Sequence, residues 1–253
     1  MDNDVLLQVE SLSQSFGGLQ AVDQASLEIR SGEFVGLIGP NGAGKSTLID
    51  CLSGHITGYR GKVTFDGADI SHLAMHKVAR RGLARTFQVS RVFDRLTATS
   101  NLLLAPQDQR GETVVGALLG RWRQEEREHI REAGEALAEF DLTRIADSFA
   151  GEVSGGQRRL IELSRALLMR PKMLLLDEPF AGVSPANRRI LGDWLVALNR
   201  ESGMTILMVE HRLEEVERLC SRAIVMAAGR PIAQGSLTDL RADKEVVSAY
   251  FGG

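Results

Sequence analysis

The run Gly39-Pro40-Asn41-Gly42-Ala43-Gly44-Lys45-Ser46-Thr47 constrains what this chain can fold into more than any other stretch of it. It fits the spacing G-x-x-x-x-G-K-[ST]. An apolar segment, Phe34 to Ile38, precedes it, and a short helix is expected from Lys45 to just before Gly54. Strand, glycine-rich loop and helix start, in that order, build a backbone anion site: the glycines let N–H groups turn inward, and the helix N-terminus presents the positive end of its dipole. In such a loop Lys45 reaches the β- and γ-phosphates of a nucleotide, and Ser46 offers its hydroxyl to Mg²⁺. A nucleoside triphosphate is therefore the expected ligand.

A metal-bound triphosphate needs a carboxylate from a second strand. Met173-Leu174-Leu175-Leu176 is an apolar run that ends in Asp177-Glu178. Ligands of a parallel sheet gather beyond the carboxyl ends of its strands, so Asp177 is expected to face the loop built on the first strand. Asp177 suits Mg²⁺, directly or through a water, while Glu178 is placed to orient and polarise an attacking water. Further upstream, Val153-Ser154-Gly155-Gly156-Gln157 stands immediately before a helical segment. Ser154 supplies a hydroxyl there, and Gly155 and Gly156 expose N–H groups at the helix start, which makes a second anion site.

The rest of the chain arranges itself around these motifs. Short strands are expected at Val5 to Val9, Ala25 to Ile29, Phe34 to Ile38 and Lys62 to Phe65. Helical periodicity dominates from Ser71 to about Arg170, with Ile130, Ala133, Leu137 and Phe140 on one buried face. The charge-dense run from Arg121 to Glu132 reads as a solvated helix face. After Pro171 the alternation resumes: strand Met173 to Leu176, helix Pro185 to Arg200, strand Thr205 to Val209, helix Arg212 to Cys220, a hairpin about Ala228-Gly229, and a last helix from Glu245 to Phe251. Strands buried between helices suit a layered α/β sheet, with the helical middle as an insertion.

Composition narrows the function classes. Across 253 residues, 30 Lys plus Arg face 33 Asp plus Glu for a net charge of -3, which argues against a chain whose work is neutralising a nucleic-acid backbone. Two cysteines, Cys51 and Cys220, both in segments that read as helical, make no disulfide framework and suit a reduced cytosolic compartment. The first residues lack the basic and apolar regions of a signal peptide, and no apolar run approaches the ~18–20 residues that span a bilayer. Any membrane role is expected to come through a partner.

The segment Val153-Ser154-Gly155-Gly156-Gln157-Arg158-Arg159 resembles the signature motif of the ATP-binding cassette (ABC) ATPases. The resemblance covers essentially the whole chain, with other family positions following in order. Phe16 lies where the family carries an aromatic that stacks on adenine, Gln88 in Arg85-Thr86-Phe87-Gln88 resembles its Q-loop, and His211 after the run TILMVE resembles its switch histidine. The implied fold is an α/β P-loop NTPase sheet core with an N-terminal antiparallel β subdomain and an inserted α-helical subdomain. Residues 1–253 would form one nucleotide-binding domain, with 1–88 and 166–253 as core and β subdomain and 89–165 as the helical subdomain.

The resemblance also implies a mechanism. Two such domains, from this chain paired with itself or with a related second ATPase, would close head to tail over two ATPs, so that Ser154 to Gln157 act on the other subunit's nucleotide. Gly39 to Thr47 would cradle the phosphates, Ser46, Gln88 and Asp177 would hold Mg²⁺, Glu178 would position water, and His211 would contact the γ-phosphate. With Glu178 and His211 both present, the implied site hydrolyses ATP rather than only binding it. One position departs from the pattern: Ser184 in Pro179-Phe180-Ala181-Gly182-Val183-Ser184 stands where most of the family has Asp. A hydroxyl there can hydrogen-bond across the dimer but brings no charge.

Three stretches, Phe16 to Val22, Gly82 to Gln88 and Leu96 to Leu103, together with the ending Val246 to Gly252, look like the ATPase subunits of branched-chain amino-acid importers, a group that includes urea and short-amide uptake. That likeness implies a peripheral subunit on the cytoplasmic face of the plasma membrane, two transmembrane permease partners, and indirectly an extracytoplasmic solute-binding protein. The membrane partner would dock near Gln88 to Asn101, where Val89, Val92, Phe93 and Leu96 are apolar. The ATPase of lipopolysaccharide export shares much of the pattern and is the nearest competitor. A soluble complex-assembly ATPase, such as one for iron–sulfur clusters, is the alternative of a different class.

Overall fold

Strand β3, Phe34–Ile38, is buried at every residue. That is what a parallel strand covered on both faces requires, and it is why such strands read as unbroken apolar runs. A computed structural model describes residues 5–86, 92–105 and 122–251. By their contacts the residues fall into two units, one of Met1–Arg85, Lys172–Ala181 and Pro185–Gly253, the other of Thr86–Pro171 and Gly182–Ser184.

The first unit carries two sheets. One is antiparallel, in the order β2-β1-β4-β5, from β1 (Val5–Phe16), β2 (Leu19–Arg30), β4 (Arg60–Phe65) and β5 (Ala68–Asp69). The other runs β10-β9-β3-β8-β7-β6, from β6 (Leu83–Arg85), β7 (Met173–Asp177), β8 (Thr205–Val209), β9 (Arg222–Ala227) and β10 (Arg230–Gly235). Every neighbouring pair in it is parallel except β9 with β10, which form a hairpin at the sheet edge. Ala228 and Gly229 turn that hairpin with φ of 45° and 81°, the left-handed pair that a two-residue hairpin loop demands. Helices α1 (Lys45–Leu52) and α2 (Met75–Arg80) belong to this unit.

The strand order fixes what meets at the carboxyl end of the sheet. β8 lies between β3 and β7, so the loop after β3, the turn after β8 and the turn after β7 are neighbours there. The α/β expectation therefore holds, and the ends of separate strands converge as a parallel sheet predicts.

Several local expectations are corrected. β1 and β2 are each 12 residues long, against the five-residue strands expected. Register shifts between Val9 and Leu12, Leu12 and Gln14, and Gln14 and Ser15 mark bulges, and Ser11 adopts φ 49°. Bulges break the in-out alternation on which strand recognition rests. β6 falls inside the stretch read as helical; at three residues it is too short to show a period.

The second unit, taken by itself, holds α3 (Ala98–Leu102), α4 (Trp122–Glu139), a 3-10 turn at Thr143–Ile145 and α5 (Gly155–Leu168). Ala98, Leu102, Ala133, Leu137, Leu142, Val153 and Ile161 form its core. Of the apolar stripe expected on α4, Ala133 and Leu137 are buried and Phe140 packs against the core, but Ile130 is 47% exposed. The buried stripe thus begins one turn later than its spacing suggests. Asn101 is fully buried and accepts from Phe93 N (2.8 Å) while donating to the carbonyls of Phe93, Leu96 and Thr97 (3.1, 3.3 and 3.0 Å), which knits the segment before α3 together.

The remaining helices, α6 (Pro185–Ser202), α7 (Leu213–Leu219), α8 (Leu237–Ala242) and α9 (Lys244–Phe251), return to the first unit. Cys51 is buried in α1, but Cys220 stands just past the end of α7 in extended conformation rather than within a helix. Burial raises the Cys51 thiol to about 12, so it is an inert core residue. Among the described residues no helix is long and apolar enough to cross a membrane.

Candidate active site

The loop between β3 and α1 has the geometry its spacing requires. Gly44 caps α1 with φ 94° and contributes no side chain, so the first N–H groups of the helix have no capping group of their own. A Cβ at Gly39 (φ 148°) would lie 2.1 Å from Met226 O, and one at Gly44 would lie 2.2 Å from Ala21 O. Backbone approaches that close admit only glycine. Lys45 is 5% exposed, and its ammonium donates to Gly39 O (2.8 Å) and Pro40 O (2.9 Å), so the loop is folded around its own cation. Burial lowers its pKa, against the opposing charges of Glu178 and Asp177. Ser46 is exposed at the first turn of α1.

At the end of β7, Asp177 is 3% exposed and its Oδ2 accepts from Arg85 Nη2 at 3.0 Å. Desolvation raises its pKa, and the Arg85 charge works against that rise. Glu178, the next residue, adopts the left-handed conformation with φ 48°. Non-glycine residues reach that region rarely and at a cost of about 1 kcal/mol or more, and such positions cluster at functional sites. The turn is held by Glu178 N donating to Val209 O and by Ala181 N donating to Glu178 O, both at 3.0 Å.

The result of that turn is a contact between the two residues read as catalytic. His211 Nε2 lies 2.8 Å from Glu178 Oε1, with side-chain exposures of 41% and 19%. The histidine follows β8, so the pair joins the ends of two adjacent parallel strands. Glu210, 4% exposed, links the two turns: its carboxylate accepts from His211 N at 3.1 Å and from Phe180 N at 3.4 Å. Burial pushes its pKa up, while its backbone hydrogen bonds with His211, Phe180 and Arg212 pull the other way.

Phe16 closes β1 and is 50% exposed, opposite Leu19, at 68%. Gln88 lies outside the described residues. In the second unit, Ser154 is the N-cap of α5 and makes a full capping box with Gln157. Ser154 N donates to Gln157 Oε1 at 3.0 Å, and Gln157 N donates to Ser154 Oγ at 3.3 Å. Ser154 and Gly155 are exposed, so this helix start faces outward.

Residues 22–181 match a family model described as ABC transporter. The chain belongs to that family. It is a nucleotide-binding cassette with ATPase activity, as the family and its relatives establish. It is 38% identical over 247 residues, covering 98% of this chain and 95% of the relative, to the "Probable branched-chain amino acid transport ATP-binding protein LivG" of Archaeoglobus fulgidus. It is 36% identical, over 98% of this chain and 97% of the relative, to the lipopolysaccharide export system ATP-binding protein LptB of Haemophilus influenzae. A solved nucleotide-free ATP-binding cassette from an ABC transporter superposes with a TM-score of 0.85 at 33% identity, covering 99% of this chain and all of that one.

For an ABC cassette the donor chemistry at this site fits Mg²⁺. A serine hydroxyl and one carboxylate are hard oxygen donors of the kind that complete a magnesium sphere together with waters and substrate phosphates, rather than an all-protein cage. Among the described residues no group of three or more His, Cys, Asp or Glu able to hold a metal occurs. Three polar residues near this site escaped the sequence reading: Arg85, Asp50 and Glu210. Nothing in linear spacing pairs Arg85 with Asp177, 92 positions away.

Proposed function

We propose that this cassette is the ATP-hydrolysing subunit of a membrane importer for branched-chain amino acids or a related small solute. The observation that carries the hydrolytic part is the 2.8 Å contact between Glu178 and His211 beside the glycine loop. Lys45 and the loop amides of Gly39 to Thr47 hold the phosphates, Phe16 meets the adenine, and Ser46, Asp177 and Gln88 take Mg²⁺, which when bound neutralises phosphate charge. Glu178 orients the attacking water and His211 holds Glu178 and the γ-phosphate in place. The chemistry is positioning and charge stabilisation, which is what phosphoryl transfer asks of a protein.

Two cassettes act together in this reading, this chain with itself or with a related second ATPase. The outward-facing start of α5 supports a role in trans for Ser154, Gly155, Gly156 and Gln157. Ser184, also exposed, joins the two cassettes by hydrogen bonding without charge. The core and β subdomain of 1–88 and 166–253 would then carry one half of each composite site, and the helical subdomain of 89–165 the other. Permeases at the cytoplasmic face of the membrane dock on the segment before α3, where Phe93 is 55% exposed. An extracytoplasmic solute-binding protein supplies the cargo.

The decisive measurement is phosphate release by wild type and Glu178→Gln. A fall of about 10²-fold or more is expected from losing the water-orienting carboxylate, and equal rates would sink the hydrolytic reading. The similarity to LptB favours one second reading, an export ATPase. Reconstitution with each transporter's permeases separates the two: stimulation of ATP hydrolysis by a liganded solute-binding protein supports import, and its absence with an importer pair overturns it.

A further inference from the structure

Arg85 ends β6, the strand next to β7, and its side chain is 7% exposed. Its two terminal nitrogens serve different elements. Nη1 donates to Asp50 Oδ1 at 2.5 Å and to Ser53 Oγ at 3.0 Å, at the end of α1. Nη2 donates to Asp177 Oδ2 at 3.0 Å. A guanidinium is a rigid planar fork, so fixing one arm fixes the direction of the other. Asp50, 26% exposed, and Ser53 therefore set where Nη2 points, and Nη2 sets the plane of a carboxylate that is only 4% exposed.

Stability alone is a weak reason for this arrangement. A buried ion pair gains little over well-packed apolar side chains, because desolvation offsets the attraction. The arrangement does, however, connect two pieces of the nucleotide site that the chain builds separately: α1, which starts in the glycine loop, and the acid at the end of β7. We infer that Arg85 is a positioning residue of the ATP site: anchored by Asp50 and Ser53, it orients the Asp177 carboxylate for Mg²⁺. The inference rests on the proposed reading of Asp177 as the metal carboxylate.

The test compares the affinity of a fluorescent ATP analogue in Mg²⁺ with its affinity in EDTA, and takes the ratio as the magnesium gain. Circular dichroism and melting establish that each variant is folded. Arg85→Lys keeps the charge and removes the fork; the gain is expected to fall about 10-fold with EDTA affinity changed by no more than about 2-fold, the size of effect that outer-shell partners have on metal ligands. Asp50→Ala loosens the anchor while leaving the Arg85–Asp177 contact, and is expected to lower the gain by about 3-fold. It keeps the test decisive should Arg85→Lys not fold. Asp177→Asn separates the two levels of the argument. If it leaves the gain intact, the metal reading of Asp177 fails and the inference with it. If Asp177→Asn abolishes the gain while the folded variants at Arg85 and Asp50 leave it at the wild-type value, the positioning role alone is overturned.

Discussion

Replacing Glu210 should slow ATP turnover while leaving nucleotide binding nearly untouched. Its buried carboxylate accepts from His211 N and Phe180 N, so one side chain ties the turn after β8 to the turn after β7. Those two turns carry the Glu178–His211 contact of 2.8 Å. Hydrogen bonds to an ionised acceptor contribute about 1.5–3 kcal/mol each and neutral ones about half that. Glu210→Gln keeps one acceptor oxygen and relieves the burial of charge that pushes the Glu210 pKa up, so it should change stability by no more than about 1 kcal/mol. Glu210→Ala strands buried N–H groups and should cost about 3 kcal/mol, or roughly 6–12 °C in Tm for a chain of this size.

The catalytic effect follows from geometry. A displacement of about 1 Å between reacting groups costs on the order of 10²-fold in rate, so Glu210→Ala should lower kcat by about 10- to 100-fold with KM for ATP within about 2-fold. Steady-state phosphate release over a range of ATP concentrations, alongside a melting curve, reads both numbers. A folded Glu210→Ala chain with wild-type kcat would refute the reasoning, and so would a loss expressed only in KM. The same residue has a pH signature. A carboxyl whose folded pKa lies above its unfolded value of 4.5 binds its proton more tightly when folded, so stability falls as pH rises from 4.5 through the folded pKa. Glu210→Gln should remove that part of the slope and be relatively more stable above the folded pKa, which urea titrations across pH 4–8 would detect.

Other outcomes follow from the same structure. Asn101→Ala removes four hydrogen bonds from a fully buried side chain and should destabilise by about 3 kcal/mol; limited proteolysis of the segment before α3 would show it first. Phe93→Asp should abolish recruitment to permease-containing membranes while sparing ATP affinity, because Phe93 is exposed whereas its neighbour Val92 packs into the core and would destabilise if charged; co-sedimentation with those membranes checks it. A mixture of Lys45→Ala and Ser154→Arg chains should recover ATPase activity that neither has alone, since one composite site in the mixed dimer keeps both intact halves. No recovery on mixing would argue against action in trans.

What could be read from the chain beforehand was whatever is local. The glycine loop, the acids after β7 and the helix start at Ser154 each sit within a few residues of the strand or helix end that shapes them, so spacing and residue type are sufficient. The full length of β1 and β2 does not show in the sequence because bulges near Ser11 and Gln14 destroy the alternation. Ile130 is exposed despite its spacing because periodicity gives a face but not where along the helix a neighbour begins to cover it. The three-residue β6 carried no period at all. Missing Arg85 and Glu210 has one common cause. Each reaches across to the end of an adjacent strand, Arg85 to Asp177 and Glu210 to the turn at Phe180, and adjacency in a parallel sheet is decided by the crossovers, which leave no periodic trace in sequence. Once the order β3-β8-β7-β6 is known, Glu210 falls where it can link the turns after β8 and β7, and Arg85 beside Asp177. A motif thus announces its own strand end, while the residues that hold two such ends in register become visible only with the order of the strands.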